Sequence, residues 1–135
     1  MTYDAYVDGA YAGGRCAWAV IILDGGAVVA RFASRMTDMH ETLANQRNVA
    51  SEMKAAMMAA AWARTNDVQV HIYHDYEGVS KWPTGEWGAG NEWTQKYRDY
   101  MRDHEAVDGY THVKAHSGDK WNERADRMAH SAAVA

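Results

Sequence analysis

Along residues 2–8 the side chains alternate, with Tyr3, Ala5 and Val7 on one side and Asp4, Tyr6 and Asp8 on the other. That is the period of a half-buried strand, and Gly9 is expected to end it. Residues 16–23 form an unbroken apolar run, the mark of a strand covered on both faces. Asp24-Gly25-Gly26 predicts a tight turn and residues 27–34 the returning strand of a hairpin. From Asn48 the period changes: Val49, Met53, Ala56, Met57, Ala60 and Ala63 fall at helical spacing, in an Ala-rich stretch that ends near Thr65-Asn66-Asp67.

Val68, Val70 and Ile72 alternate again, predicting a short fourth strand that reaches Asp75. A strand, a crossover helix and a strand make a right-handed unit when the strands are parallel, so the fourth strand is expected beside the first. Pro83 and Gly78, Gly85, Gly88 and Gly90 break the next stretch into a short helix at 76–81 and a loop. Trp93, Tyr97, Tyr100 and Met101 predict a helix over 92–104, Asp108-Gly109 a turn, and residues 110–115 a fifth strand. A last helix is expected over 120–133, with Asp119 as its N-cap. The expected order is β-β-β-α-β-α-α-β-α. The class is α/β: a five-stranded mixed sheet, three antiparallel strands and then parallel ones, flanked by helices.

Length and charge narrow this only a little. The 135 residues suit one domain, expected to span 1–135. A lone Cys16 rules out an internal disulfide and fits a reducing compartment. No stretch nears the ~20 apolar residues of a membrane span, so the expectation is a soluble, cytoplasmic protein with no membrane partner. A net charge of −4 argues mildly against a polyanionic partner, although a set of metal-binding carboxylates would itself push the sum negative.

Three acids stand out by position. Asp8 and Asp75 are expected at the last positions of two adjacent parallel strands, at the carboxyl edge where open α/β sheets place their sites. Glu52 falls between Val49 and Ala56 on the buried side of the crossover helix. Singly, each has a plain structural reading: a turn, a solvated helix residue, a helix cap. Brought together they would raise one another's proton affinity or demand a cation, and an all-oxygen donor set selects Mg²⁺ or Mn²⁺.

The stretch Thr111-His112-Val113-Lys114-Ala115-His116-Ser117-Gly118-Asp119-Lys120-Trp121-Asn122-Glu123-Arg124-Ala125-Asp126 resembles the C-terminal signature of the type 1 ribonuclease H family. Upstream, Tyr6-Val7-Asp8-Gly9, the Ala-rich helix from Asn48 through Glu52, and Ile72-Tyr73-His74-Asp75 follow in the family's order. Lys81-Trp82 with Gly85-Glu86-Trp87 resembles a bacterial branch. The resemblance covers nearly the whole chain. It implies a ribonuclease H-like fold and an endonuclease that hydrolyses the RNA strand of RNA–DNA hybrids, leaving 5′-phosphate and 3′-hydroxyl ends.

The resemblance further implies that Asp8, Glu52, Asp75 and Asp126 bind two Mg²⁺ (or Mn²⁺) ions. His116 would be a mobile catalytic histidine. Asn48, Asn122 and the Gly9, Ala10 and Tyr11 backbone would contact the hybrid. Asn48 is preferred to Asn45-Gln46 by its distance from Glu52. The chemistry agrees, since two ions roughly 3.5–4 Å apart can clamp the attacking and leaving oxygens of a phosphodiester displacement. RNA 2′-hydroxyls in a shallow minor groove would give hybrid preference with little sequence specificity. A monomer with no obligate protein partner is expected.

One region departs from the pattern. Residues 76–105 hold Lys81, Lys96, Arg98 and Arg102 against Glu77, Glu86, Glu92, Asp99, Asp103 and Glu105, so a strong basic handle is not expected. Binding should be weak and salt-sensitive. Trp82, Trp87 and Trp93 are expected in the core rather than against substrate. A DNA nuclease on the same superfold and a hybrid-binding module without catalysis stand as alternatives.

Overall fold

The computed structural model of the chain describes residues 1–36, 47–102 and 105–135, the side chains of 47 and 48 excepted. Nine elements follow in the expected order: β1 (Thr2–Ala12), β2 (Arg15–Asp24), β3 (Ala27–Arg35), α1 (Arg47–Thr65), β4 (Gln69–His74), α2 (Gly78–Thr84), α3 (Glu92–Arg102), β5 (Val107–His112) and α4 (Lys120–Val134). The sheet order is β3-β2-β1-β4-β5. β1–β2 and β2–β3 pair antiparallel, whereas β1–β4 and β4–β5 pair parallel. This is the ribonuclease H-like fold.

The apolar run in β2 is explained by helices on both sheet faces. Trp18, Val20 and Ile22 join the main core with Met53, Ala56 and Ala60 of α1, while Ile21 and Leu23 meet Ala125 and Met128 of α4. The alternation in β1 sorts the same way, Ala5 and Val7 toward α1 and Tyr6 toward α4. Alanine dominates α1 because the helix lies flat on the sheet: Ala50, Ala55, Ala56, Ala59, Ala60 and Ala63 are all fully buried. Trp82 and Trp93 are half-buried against this core, and Trp87 stands edge-on to Trp82 at 5.5 Å.

Several boundaries differ from expectation. β1 does not end at Gly9 but runs on to Ala12, paired with β2 throughout. Gly9 serves instead as a point of close approach, since a Cβ there would lie 2.5 Å from the backbone nitrogen of Glu52. Asp108-Gly109 is not a turn before β5 but part of it, next to a register shift at Val70/His71. There the His71 ring lies across Gly109, 3.2 Å from where a Cβ would sit. β5 accordingly stops at His112, although the Val113 N–H still donates to the His74 carbonyl at 2.7 Å. The short helix after β4 begins at Gly78 and closes on Gly85, whose φ of 86° caps it. His104, the expected end of α3, and Asn45-Gln46 lie outside the described residues.

Candidate active site

Asp8 sits two-thirds of the way along β1, Glu52 in the second turn of α1, and Asp75 directly after β4. The parallel pairing of β1 with β4 carries Asp8 and Asp75 to the same end of the sheet, and Gly9 lets α1 come close enough to add Glu52. One carboxylate oxygen from each of the three lies within 4.8 Å of the others. Asp8 is 2% exposed and Glu52 7%. Asp8 Oδ1 accepts the Gly9 N–H at 2.9 Å, so that N–H is turned toward the carboxylate cluster. Asp8 Oδ2 and Glu52 Oε2 are buried and, apart from the neighbouring acids themselves, find no hydrogen-bond partner among the described residues.

The electrostatics follow from that crowding. Burial, then the charges of Asp75 and Asp126, hold the Asp8 proton up to about pH 7, against a hydrogen bond from Glu52 that opposes the shift. Burial and the Asp8 charge raise Glu52 well above the usual carboxylate range. Asp75 is raised too, by burial first, while the Asn122 side-chain amide donates to it and pulls the other way. Protons shared between these acids offset a charge that a divalent cation would offset better. The donor set is hard oxygen alone, with two buried oxygens unpartnered outside the cluster, and it fits Mg²⁺ or Mn²⁺.

Asp126, in the second turn of α4, is not one of the three mutually close carboxylates. Its charge nonetheless acts on both Asp8 and Asp75. Asn122 is 3% exposed, and its backbone N–H is held at 2.9 Å by the Asp119 carboxylate, the expected N-cap. His116 lies exposed in the loop before α4 at φ 56°, followed by Gly118 at φ 90°; its charge acts on Asp75. Ala10 and Tyr11 continue β1 past the site, and Tyr11 is 40% exposed. The Asn48 side chain lies outside the described residues.

Sequence reasoning missed two histidines. The His74 Nδ1–H donates to the Tyr76 carbonyl at 2.8 Å, and the His112 Nε2–H donates to the Asp75 carbonyl at 3.0 Å. Together they brace the main chain at Asp75 and Tyr76. His74 is fully buried, which lowers its pKa to about 4 and keeps it neutral. Its signal in the sequence is one buried-face position in a strand, shared with any core residue; the register that sets it opposite His112 is visible only in the sheet.

A mixed sheet carrying clustered carboxylates at the carboxyl end of two parallel strands defines the class of ribonuclease H-like nucleases. The RNase H family model matches residues 2–134. The chain is similar to the ribonucleases H of Wolbachia pipientis wMel and of Wolbachia sp. subsp. Drosophila simulans (strain wRi). Each is 28% identical over 144 residues, covering 96% of this chain and 93% of its own. The crystal structure of RNase H1 from the halophilic archaeon Halobacterium salinarum NRC-1 matches with a TM-score of 0.79 at 25% identity, covering 98% of this chain and 97% of that one. LC11-RNase H1, solved in complex with RNA/DNA hybrid, shares the fold with a TM-score of 0.76 at 16% identity, over 98% of this chain and 96% of that one. The chain belongs to the RNase H family of ribonucleases. Among the described residues no helix is long and apolar enough to cross a membrane.

Proposed function

We propose that residues 1–135 act as one catalytic domain that cuts the RNA strand of RNA–DNA hybrids internally, leaving 5′-phosphate and 3′-hydroxyl ends with little sequence specificity. The observation that carries this reading is the packing of Asp8, Glu52 and Asp75 within 4.8 Å, two of them buried, in a chain of the RNase H family. That one structural neighbour was solved with an RNA/DNA hybrid supports the substrate.

Asp8, Glu52, Asp75 and Asp126 would hold two Mg²⁺ or Mn²⁺ ions. When bound, such ions supply the positive charge that activates water and stabilises the leaving oxygen. Asn122 orients Asp75 through its amide, and His74 and His112 fix the backbone that presents it. His116, on an exposed left-handed loop position, would move a proton or ease product departure. Tyr11, Ala10 and Asn48 would meet the hybrid at the rim of the site. The buried lone Cys16 suits a cytoplasmic setting, and we extend the reading to a monomer with no obligate protein partner.

The test is a gel assay on end-labelled RNA–DNA hybrid, single-stranded RNA, duplex RNA and duplex DNA. Each is incubated with Mg²⁺, with Mn²⁺ and with chelator, beside an Asp75→Asn control. Metal-dependent cutting of the hybrid's RNA strand alone, lost in the control, is expected. Cutting of duplex DNA instead would keep the fold and overturn the substrate, and no cutting under either metal would point to a binding module.

A further inference from the structure

The charges of this chain are unevenly employed. In the segment where a basic handle would lie, Lys81 pairs with Glu77, Lys96 with Glu92 and Arg98 with Asp99. Those cations are therefore largely compensated. On the opposite side of the molecule the edge strand β3 turns Arg31 and Ala33 toward α4, which answers with Arg124, Arg127, Met128 and Ser131 at helical spacing. These six residues line an open cleft of about 480 Å³. Among the described residues no carboxylate lines it. Arg31 and Arg127 have no ion-pair partner among the described residues, and Arg124 leans only on the Trp121 ring, 5.0 Å from its centroid.

Three guanidinium groups around one cleft repel each other unless an anion lies between them. A guanidinium's planar fork matches phosphate oxygens two at a time. Met128 and Ala33 add apolar lining and the Ser131 hydroxyl can donate, so the cleft offers an anion both positive charge and a neutral hydrogen bond. We propose that the β3–α4 cleft is a second nucleic-acid contact, holding backbone phosphates of the substrate away from the carboxylate cluster. The inference rests on the proposed hybrid-cutting function and adds where the strand is gripped. α4 then serves two faces: Asp126 turned to the metal site, and Arg124 with Arg127 turned to the cleft.

The experiment compares the native chain with the double variant Arg31→Gln, Arg127→Gln, neither residue being part of the carboxylate site. In steady-state hybrid cleavage the variant is expected to raise KM roughly five- to tenfold at about 50 mM salt, with kcat within about twofold, and to converge on the native KM as salt rises. In an Asp75→Asn background, binding of a fluorescein-labelled hybrid should lose about two from its log–log salt slope, one for each arginine removed. Unchanged KM and slope in a variant with native circular dichroism would overturn the cleft while leaving the proposed function standing. Arginine-dependent hybrid binding by a native chain that cuts nothing would do the reverse. A parallel arm uses sodium pyrophosphate. If it raises the melting temperature of the native chain but not of the variant, while hybrid affinity is the same for both, the cleft serves a free phosphate and the backbone assignment falls.

Discussion

Gly9 and Glu52 meet backbone to backbone: any Cβ at position 9 would stand 2.5 Å from the Glu52 nitrogen and just as close to Ser51. The contact sets the distance between α1 and β1 at the point where both carry an acid. Gly9→Ala is expected to push α1 outward, costing about 1–3 kcal/mol through overpacking. The shift of Glu52 should lower kcat at least roughly tenfold, since small misplacements of reacting groups are costly. Urea unfolding and hybrid cleavage measured on one preparation would check both; full activity with reduced stability would mean that α1 accommodates the methyl without moving Glu52.

Asp8 makes the metal-free protein sensitive to pH in a defined direction. Its proton is held up to about pH 7 in the fold against an ordinary 3.8, so the folded state keeps a proton that the unfolded chain releases. Stability from this group is present below the ordinary value and lost as pH rises through the folded one. Asp8→Asn removes that loss. In chelator the variant should gain on the native chain between about pH 4 and about pH 7, with a plateau near 2–4 kcal/mol above that. Adding Mg²⁺ at about pH 8 should raise the native melting temperature and leave the variant nearly unmoved. A pH-independent difference between the two would contradict the buried-charge account.

Asn122 tests the support beneath Asp75. Asn122→Ala removes the amide donor but leaves the backbone N–H that Asp119 holds. A fall of roughly 10–100-fold in activity or Mg²⁺ affinity is expected, as for other groups that orient a metal ligand. Asn122→Asp keeps the shape and substitutes a further acid for the donor, so it should be at least as damaging. Titrating Mg²⁺ by calorimetry separates weaker metal binding from slower chemistry.

Tyr97 lies outside the carboxylate cluster, although the Glu52 charge reaches its hydroxyl. Its hydroxyl donates to the Val79 carbonyl at 2.6 Å, with both groups buried, and so ties α3 to α2. Tyr97→Phe leaves that carbonyl unpartnered and should cost about 1–3 kcal/mol. Cleavage should stay within about twofold of native. A large loss of activity would show that the α2–α3 unit takes part in catalysis rather than only in packing.

The order of the nine elements could be read from periodicity, because each switch between two-residue and helical repeats coincides with a change of layer. The three close acids could be read as well, since a parallel β1–β4 pair follows from the crossover helix between them. Asp8 was expected at a strand end because Asp-Gly usually turns the chain. Nothing local reveals that Gly9 faces a helix whose approach requires a bare Cα. The same dipeptide at Asp108-Gly109 misleads for a related reason, as room for the His71 ring is a cross-strand demand. The bracing of Asp75 by His74 and His112 was hidden altogether, depending as it does on the β4–β5 register.

β1 precedes the other strands in the chain yet lies in the middle of the sheet, with β2 on one side and β4 on the other. Its acid meets Glu52 and Asp75, and feels the charge of Asp126, only after the chain has returned from three separate excursions, the third of them α4. No fragment ending before α4 carries the complete acidic cluster, so a nascent chain on the ribosome holds an unfinished blade. Full divalent-ion affinity would then need all four acids, and its rise during refolding would mark the moment at which α4 docks beside β1.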